Sequence, residues 1–445
     1  MYVADSRGTP APAVTPEQQA VAPGTSPGRR AALAPTVLAF GTVSLITDVS
    51  SEMVTAVLPL YLVAGLGLTP LGFGLLDGLY NGVSALVRLT GGHLGDRFGR
   101  HKALAGLGYG LSALCKPLLL LVHTLPAIGA VLALDRTGKG LRTAPRDALI
   151  SLAAAPEERG RAFGVHRAMD TAGALIGPVL AFLILRAAAD GYDAVFTVSA
   201  CVAALGVLVL VLFVPGRRTR RPGATPAEPV SLKASLGLLG RRDLRRIGLC
   251  ALLLGLCTVS DGFVFLLLQH ATGLADRWFA LLPLGTAGAF FLLALPLGRL
   301  ADRIGRWRVF LGGHLALLLA YGLLLTGGTP HGVDAALPYA VLLLHGGFYA
   351  ATDGVLMAAA AGAVPEEHRG GGLALVQTGQ ALARFAASLG FGAAWTVWGA
   401  RPALAVAAVL LAGAAAVCAR LRPVEAGPGA GAEAEEPAAG PASGA

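Results

Sequence analysis

Apolar residues in this chain fall in long continuous blocks, unlike the two-residue alternation of a half-buried strand. Twelve blocks can be delimited, over residues 34–63, 70–94, 103–123, 126–149, 162–187, 192–214, 247–271, 276–298, 309–328, 335–361, 372–398 and 401–420. Each is long enough to cross roughly 30 Å of hydrocarbon as an α-helix. Several links are only a few residues long, as at Gly65–Thr69 and His123–Leu125, which forces antiparallel hairpins. The predicted fold is an all-α polytopic membrane protein with twelve transmembrane helices. Residues 1–32 are rich in Pro, Ala, Thr and Gly and lack the core and cleavage site of a signal peptide, and 422–445 are equally biased. Both read as disordered tails.

Composition agrees: 14% of residues are charged and 55% are hydrophobic, against about a quarter charged in soluble domains. That deficit argues against a water-soluble enzyme or a disulfide scaffold. The net charge of +9 does not point to nucleic acid, because the basic residues cluster in links between apolar blocks. Links after the even-numbered blocks hold Arg97, Arg100 and Lys102, then Arg159 and Arg161, nine Lys or Arg between Pro215 and Arg246, Arg299 to Arg308, and Arg369. The opposite links hold only Arg186, Arg277 and Arg401. Basic links stay in the cytoplasm, so both termini are expected there, in a multi-pass protein of the bacterial inner membrane. The five cysteines have neither CxxC spacing nor neighbouring histidines at ligand intervals, and read as small core residues; no metal is expected.

The long link at 215–246 divides the chain into segments 33–214 and 247–421, and these repeat. GHLGDRFGRHK (Gly92 to Lys102) returns as GRLADRIGRWR (Gly298 to Arg308), 206 residues later. PEERG at Pro156 returns as PEEHRG at Pro365, 209 residues later. Two landmarks at nearly one offset imply duplicated halves with a site between them.

These loops resemble the GxLaDRxGRxK loop of the major facilitator superfamily, through Gly92, Asp96, Arg97, Gly99, Arg100 and Lys102, and again through Gly298, Asp302, Arg303, Gly305, Arg306 and Arg308. Arg136 and Gly140 match its RxxxG pattern, and GALIGPVLA (Gly173 to Ala181) is similar to the GxxxGPxxGG motif of its drug/proton antiporter branches, with Ala181 in place of a Gly. The resemblance implies two pseudo-symmetric six-helix bundles working by alternating access on a small-molecule substrate. It implies a helix-5 packing motif at Gly173, Gly177 and Pro178, which favours tight sealing and outward movement. The paired loops then act as gates whose charge contacts form in one access state and break in the other.

An ionisable side chain inside the bilayer costs several kcal/mol, so each one is a site candidate. Asp48 lies near the middle of the first block and Glu52 one turn further on the same face. With Asp170 in the fifth block, they are the proton-coupling candidates, since a carboxylate in a low-dielectric setting can exchange a proton near neutrality. Glu52 and Asp48 are equally candidates for a substrate cation. In the fourth block Arg136, Lys139, Arg142 and Arg146 follow at steps of three, three and four, read as one basic face. Arg136 is expected to meet Asp48 or, with Lys139, an anionic substrate group. Arg142 and Arg146 are expected to snorkel to the interface. Asp77, Asn81 and Lys116 join the cavity candidates, a lysine being able to lose its proton where arginine cannot. In the second half Asp261 stands 213 residues after Asp48, with Gln269, His345, Tyr349, Asp353, Gln377, Gln380 and Arg384 available for the wall. His345 is either a titrating group or a packed hydrogen-bonding residue.

RTGKG lacks the first glycine and the Ser/Thr of a phosphate-binding loop, and no metalloprotease, hydrolase or kinase motif is present. The expectation is a secondary transporter and not an enzyme, needing no cofactor beyond a proton gradient, and working as a monomer. Proton-coupled export of a small organic molecule is the leading reading. Proton-coupled uptake of an anionic metabolite, or a sensor that binds without transporting, are the alternatives.

Overall fold

A computed structural model describes residues 35–98, 101–154, 158–188, 191–214, 237–327, 336–362, 364 and 369–421. Its described residues form helices and short links. The first half contains α1 (Pro35–Leu60, extended by a π-turn at Tyr61–Gly65), α2 (Pro70–Phe98), α3 (His101–Leu121), α4 (Leu125–Ala153), α5 (Arg159–Ala187) and α6 (Gly191–Phe213). The second contains α7 (Arg242–Cys257), α8 (Asp261–Thr272), α9 (Asp276–Phe279), α10 (Leu282–Ile304), α11 (Arg306–Thr326), α12 (Leu337–Gly362), α13 (Arg369–Trp398) and α14 (Ala400–Arg420). Nine helical segments among the described residues, α7–α8 and α9–α10 each counting as one, are long and apolar enough to cross a membrane. The remaining long helices, α2, α4 and α13, have 29, 29 and 30 residues. These are also of spanning length, at about 1.5 Å per residue, but carry more polar side chains.

Outward faces carry large apolar side chains such as Leu107, Leu208, Val211, Leu292 and Val409, all exposed. Polar residues are turned inward: Asp48, Glu52, Lys116, Asp135, Arg136 and Arg142 are buried. This inversion of the soluble pattern is what lipid requires of a multi-pass membrane protein. Cys201 is exposed on the lipid side, so it is not the core residue expected of it.

Packing runs mainly within each half: α1 with α5 and α6, α3 with α4 and α6, α10 and α11 with α12. The principal seam between halves joins α2 to α13. Small residues set the closest approaches. Gly173 and Gly177 of α5 lie against the α1 backbone at Leu45 and Val49, and Gly108 of α3 lies against Gly138 of α4. Gly305 and Gly399 form one-residue links between consecutive helices at φ 100° and 87°, where a side chain would be strained.

The block expected to be continuous over 247–271 is broken at Thr258–Ser260. Neither Pro nor Gly interrupts it. The Val259 amide instead donates to the Tyr321 hydroxyl of α11 at 2.8 Å, and α8 restarts with Asp261 as its first residue. An acidic side chain there complements the amino-terminal end of the helix dipole.

On α5, a methyl at Gly177 would sit 2.8 Å from the Glu52 Cβ and the Val49 carbonyl, whereas one at Gly164 meets nothing within 4 Å. Gly177→Ala is therefore expected to destabilise the purified protein by roughly 1–3 kcal/mol. Gly164→Ala should leave thermal unfolding in detergent unchanged, and equal midpoints for the two variants would contradict this packing.

Candidate functional site

Between the halves lies a cavity of about 770 Å³. Its walls come from α1, α2 and α5 on one side and from the α7–α8 break, α10, α12 and α13 on the other. At one end of the bundle, the Gly305 end, its lining reaches Arg299, Asp302 and Arg306. Towards the opposite end, the Gly67 end, it stops at Leu62 and Phe73. Above that level the seam is shut. Phe73 packs edge-on to Phe263, at 4.8 Å between centroids, and Phe263 packs on Phe391 at 4.9 Å. Gly74 of α2 abuts the Ser388 carbonyl of α13, and Gly392 of α13 abuts the Pro70 carbonyl of α2. The Leu71 amide donates to Thr396 Oγ1 at 2.9 Å.

Of the proton-coupling candidates, Asp48, Glu52 and Asp170 all line the cavity. The Asp48 and Asp170 carboxyls, from α1 and α5, lie close enough for each to act on the other electrostatically. Arg142 reaches Asp48 at 3.3 Å and Lys139 at 4.0 Å; Arg146 and Arg167 reach Asp170 at 3.8 and 3.7 Å. The expected pair of Arg136 with Asp48 is not formed. Arg136 is held by the neighbouring Asp135, at 2.5 Å, and lies 3.9 Å over the Tyr80 ring. Arg142 does not snorkel: its side chain is 2% exposed and its guanidinium lies 4.4 Å over Tyr109. Arg146 is likewise turned inward, donating to Asp147 at 2.9 Å.

The ladder is not one face, and helix geometry explains why. A three-residue step turns about 300°, so each falls some 60° short of a full turn. Two such steps put Arg142 about 120° round α4 from Arg136, so that it reaches Asp48 of α1 and the Tyr109 ring of α3, while Arg136 faces Tyr80 of α2. Lys116, expected in the cavity, belongs to the Arg136 side. It donates to Asp135 Oδ1 at 2.9 Å, with Ser112 Oγ adding a bond at 2.6 Å. Asp135 thus closes a buried network apart from the cavity.

In the second half Asp261 lines the cavity and accepts from the Tyr349 hydroxyl at 2.5 Å, with His345 Nε2 behind it at 3.3 Å. Tyr349 and Arg384 also line the cavity, as do Asp77 and Asn81 from α2. Ser388 donates to Asp77 Oδ2 at 2.7 Å, a hydrogen bond across the seam. Lys139, His345, Gln377 and Gln380 are not lining residues: His345 is 1% exposed, and Gln377 contacts Met357 Sδ at 3.3 Å. Gln269 lies at the Gly67 end, donating to Asp276 at 2.9 Å.

Among the expected gate residues, Gly298, Asp302 and Arg306 border the cavity at the Gly305 end, while Arg308 donates back to the Ile304 carbonyl at 3.2 Å. Arg303 falls in the last turn of α10. Gly92, Asp96 and Arg97 fall on the last turns of α2; Gly99 and Arg100 lie outside the described residues. Lys102, at the start of α3, donates to the Val211 and Val214 carbonyls at the end of α6. It caps a neighbouring helix and neutralises its carboxyl-terminal dipole.

The chain matches the family model of the Major Facilitator Superfamily over residues 40–387 and again over 273–443. It belongs to that superfamily. An uncharacterised MFS-type transporter of Methanocaldococcus jannaschii is 28% identical over 372 residues, covering 82% of this chain and 89% of that protein. An uncharacterised protein of Mycobacterium tuberculosis is 34% identical over 203 residues, 44% of this chain and 47% of its own length. Among solved structures, the nucleoside transporter NupG superposes with a TM-score of 0.74 at 12% identity, over 88% of this chain and all of that one. A bacterial homologue of the human lysosomal transporter Spinster, solved inward-facing and unoccupied, gives 0.69 at 14% identity, over 87% and 96% of the two chains. These superpositions show the superfamily's fold.

Asp135 and Ser388 were not singled out in the sequence. The adjacency of Asp135 to Arg136 at the head of the basic ladder was an available signal. For Ser388 there was none, since its role follows from the seam with α2.

Removing the Asp135 charge leaves Lys116 and Arg136 buried without their shared counter-ion, a loss of about 3–5 kcal/mol. Asp135→Asn is therefore expected to collapse the yield of monodisperse protein on size-exclusion chromatography, while Glu52→Gln, a cavity-wall carboxylate with no ion pair among the described residues, should purify normally.

Proposed function

We propose that this chain is a secondary active transporter that exports a small organic molecule in exchange for protons. The observation carrying this reading is the cavity between the halves, sealed at the Gly67 end and lined to the very end of the bundle at the other. That is one of the two states alternating access requires. The excess of basic links at the Gly305 end makes it the cytoplasmic side, with both termini there and the protein in the bacterial inner membrane. The state is then inward-facing, the conformation in which the Spinster homologue was solved. Residues 33–214 and 247–421 act as the two rocking bundles, joined by the basic link at 215–246.

Asp48 and Asp170 are the coupling pair. Two neighbouring carboxyl groups can share one proton between them, and its loss leaves like charges on adjacent helices. Lys139, Arg142, Arg146 and Arg167 then compete to draw each carboxylate to its own side. Protonation thereby biases how α1 sits on α5 and α4. Engagement of Arg136 by Asp135 and of Lys139 by Asp48 removes the motive for an anionic substrate. Export over uptake rests on the similarity of the α5 motif to antiporters. The nucleoside and peptide transporters among the structural neighbours act on small polar organic molecules, a class this cavity is large enough to admit.

The test is metabolite profiling of a deletion strain complemented with the native chain, with Asp48→Asn, or with the Leu71→Cys/Thr396→Cys pair that can be cross-linked across the seam. The expected result is a compound trapped inside the deletion and Asp48→Asn cells, and trapped in the double-cysteine strain only under oxidising conditions. A compound left in the medium instead would turn the reading to uptake. Indifference of its distribution to the cross-link would end the alternating-access reading.

A further inference from the structure

Glu52 differs from the other carboxylates of the amino-terminal half. It is 8% exposed and lines the cavity, yet makes no hydrogen bond or ion pair among the described residues. One turn earlier, Asp48 has two cations within 4.0 Å, and across the interface Asp170 has two more. Asp135 has a lysine, an arginine and a serine. Lys139 exerts the largest cationic field at Glu52 but makes its ion pair with Asp48. A largely buried carboxylate with no ion pair is costly, and the cavity that Glu52 lines is a side from which a counter-charge can come.

The surroundings say what kind of counter-charge fits. Asp77 faces the same chamber with a serine hydroxyl from Ser388 and no Lys or Arg in ion-pair range among the described residues. Beyond these carboxylates and the side chains of Thr55, Tyr80 and Asn81 the wall is mainly apolar, with Leu58, Pro59, Phe265, Leu284 and Phe290. Of the lining arginines, Arg299 and Arg306 are at the Gly305 end, Arg167 is on Asp170, and Arg384 is on α13 in the other half, where it acts on Tyr349. An anionic group at the depth of Glu52 would meet like charge; a cationic head on an apolar body would meet opposite charge and an apolar wall.

We propose that Glu52 is the ligand for a protonated amine on an amphipathic substrate, whose apolar body occupies the chamber towards the aromatic seal. This rests on the transporter reading and gives it a substrate class. It also makes substrate and proton alternative neutralisers of acidic groups one helical turn apart, Glu52 and Asp48, so that occupancy by one disfavours the other.

The test uses three probes of nearly equal size that differ in charge: naphthylethylamine, naphthylethanol and naphthylacetate. Their binding to the full chain in lipid nanodiscs is measured by calorimetry at neutral pH. The amine is expected to bind roughly tenfold more tightly than the alcohol, the gain of one charge-assisted contact, and the acetate most weakly. Glu52→Gln should bring the amine level with the alcohol without weakening the alcohol, and Glu52→Asp should retain part of the amine preference. Equal affinities in the native chain, preference for the acetate, absence of binding by all three, or an amine preference that survives Glu52→Gln would each overturn the assignment. The cross-linking experiment does not depend on ligand charge, so failure here with success there removes the amine assignment and leaves the transporter.

Discussion

Hydrocarbon cannot solvate a charge, so every ionisable side chain drawn into this bundle needs a counter-charge, a hydrogen bond or an aqueous chamber. The amino-terminal half is arranged around that requirement. Asp135 neutralises Lys116 and shares Arg136 with the face of Tyr80, which ties α3 to α4 and both to α2. On the other side of α4, Arg142 and Lys139 reach Asp48 and so bring α4 onto α1. One helix therefore carries two electrostatic systems that do not mix. The first is closed and structural; the second opens on the cavity and can change with its contents. The drift of a three-residue repeat around the helix separates them.

Helix packing supplies the complementary constraint. Lipid offers no hydrophobic drive between helices, so close contact depends on small residues that let backbones meet. Gly173 and Gly177 bring α5 against α1, which is what carries Asp170 within reach of Asp48. The coupling pair is in this sense a product of glycines that carry no charge. In the second half the same purpose is met differently. The helix is interrupted at Thr258–Ser260, the freed amide of Val259 is satisfied by Tyr321, and Asp261 begins α8 at the cavity wall.

The helices were legible in the sequence because hydrocarbon thickness dictates length and apolarity together: among the described residues each block falls on helix, and nine helical segments are long and apolar enough to cross a membrane. The break inside 247–271 was not, since it depends on a hydroxyl from a helix some sixty residues away and not on a local helix breaker. Ser260 and Asp261 resemble an amino-terminal cap and first turn, but within an apolar run that signal is faint. Spacing identified which residue types would be buried, and Asp48, Glu52, Asp77, Asp170 and Asp261 do share one chamber. It could not identify their partners. Helical periodicity fixes the direction of a side chain about its own axis and says nothing of which neighbour stands there, so Arg142 holds the Asp48 contact expected of Arg136, and Arg136 is buried on Asp135.

Part of the seal at the Gly67 end is main chain, beside the Phe73, Phe263 and Phe391 rings. Where Gly74 meets Ser388 and Gly392 meets Pro70, no side chain intervenes that could swing aside. Backbone that meets backbone has no rotamer positions between open and closed, so this part of the barrier parts only by displacement of a helix. For a membrane that stores energy as an ion gradient, a barrier of that kind is the sort that would not leak while the protein rests.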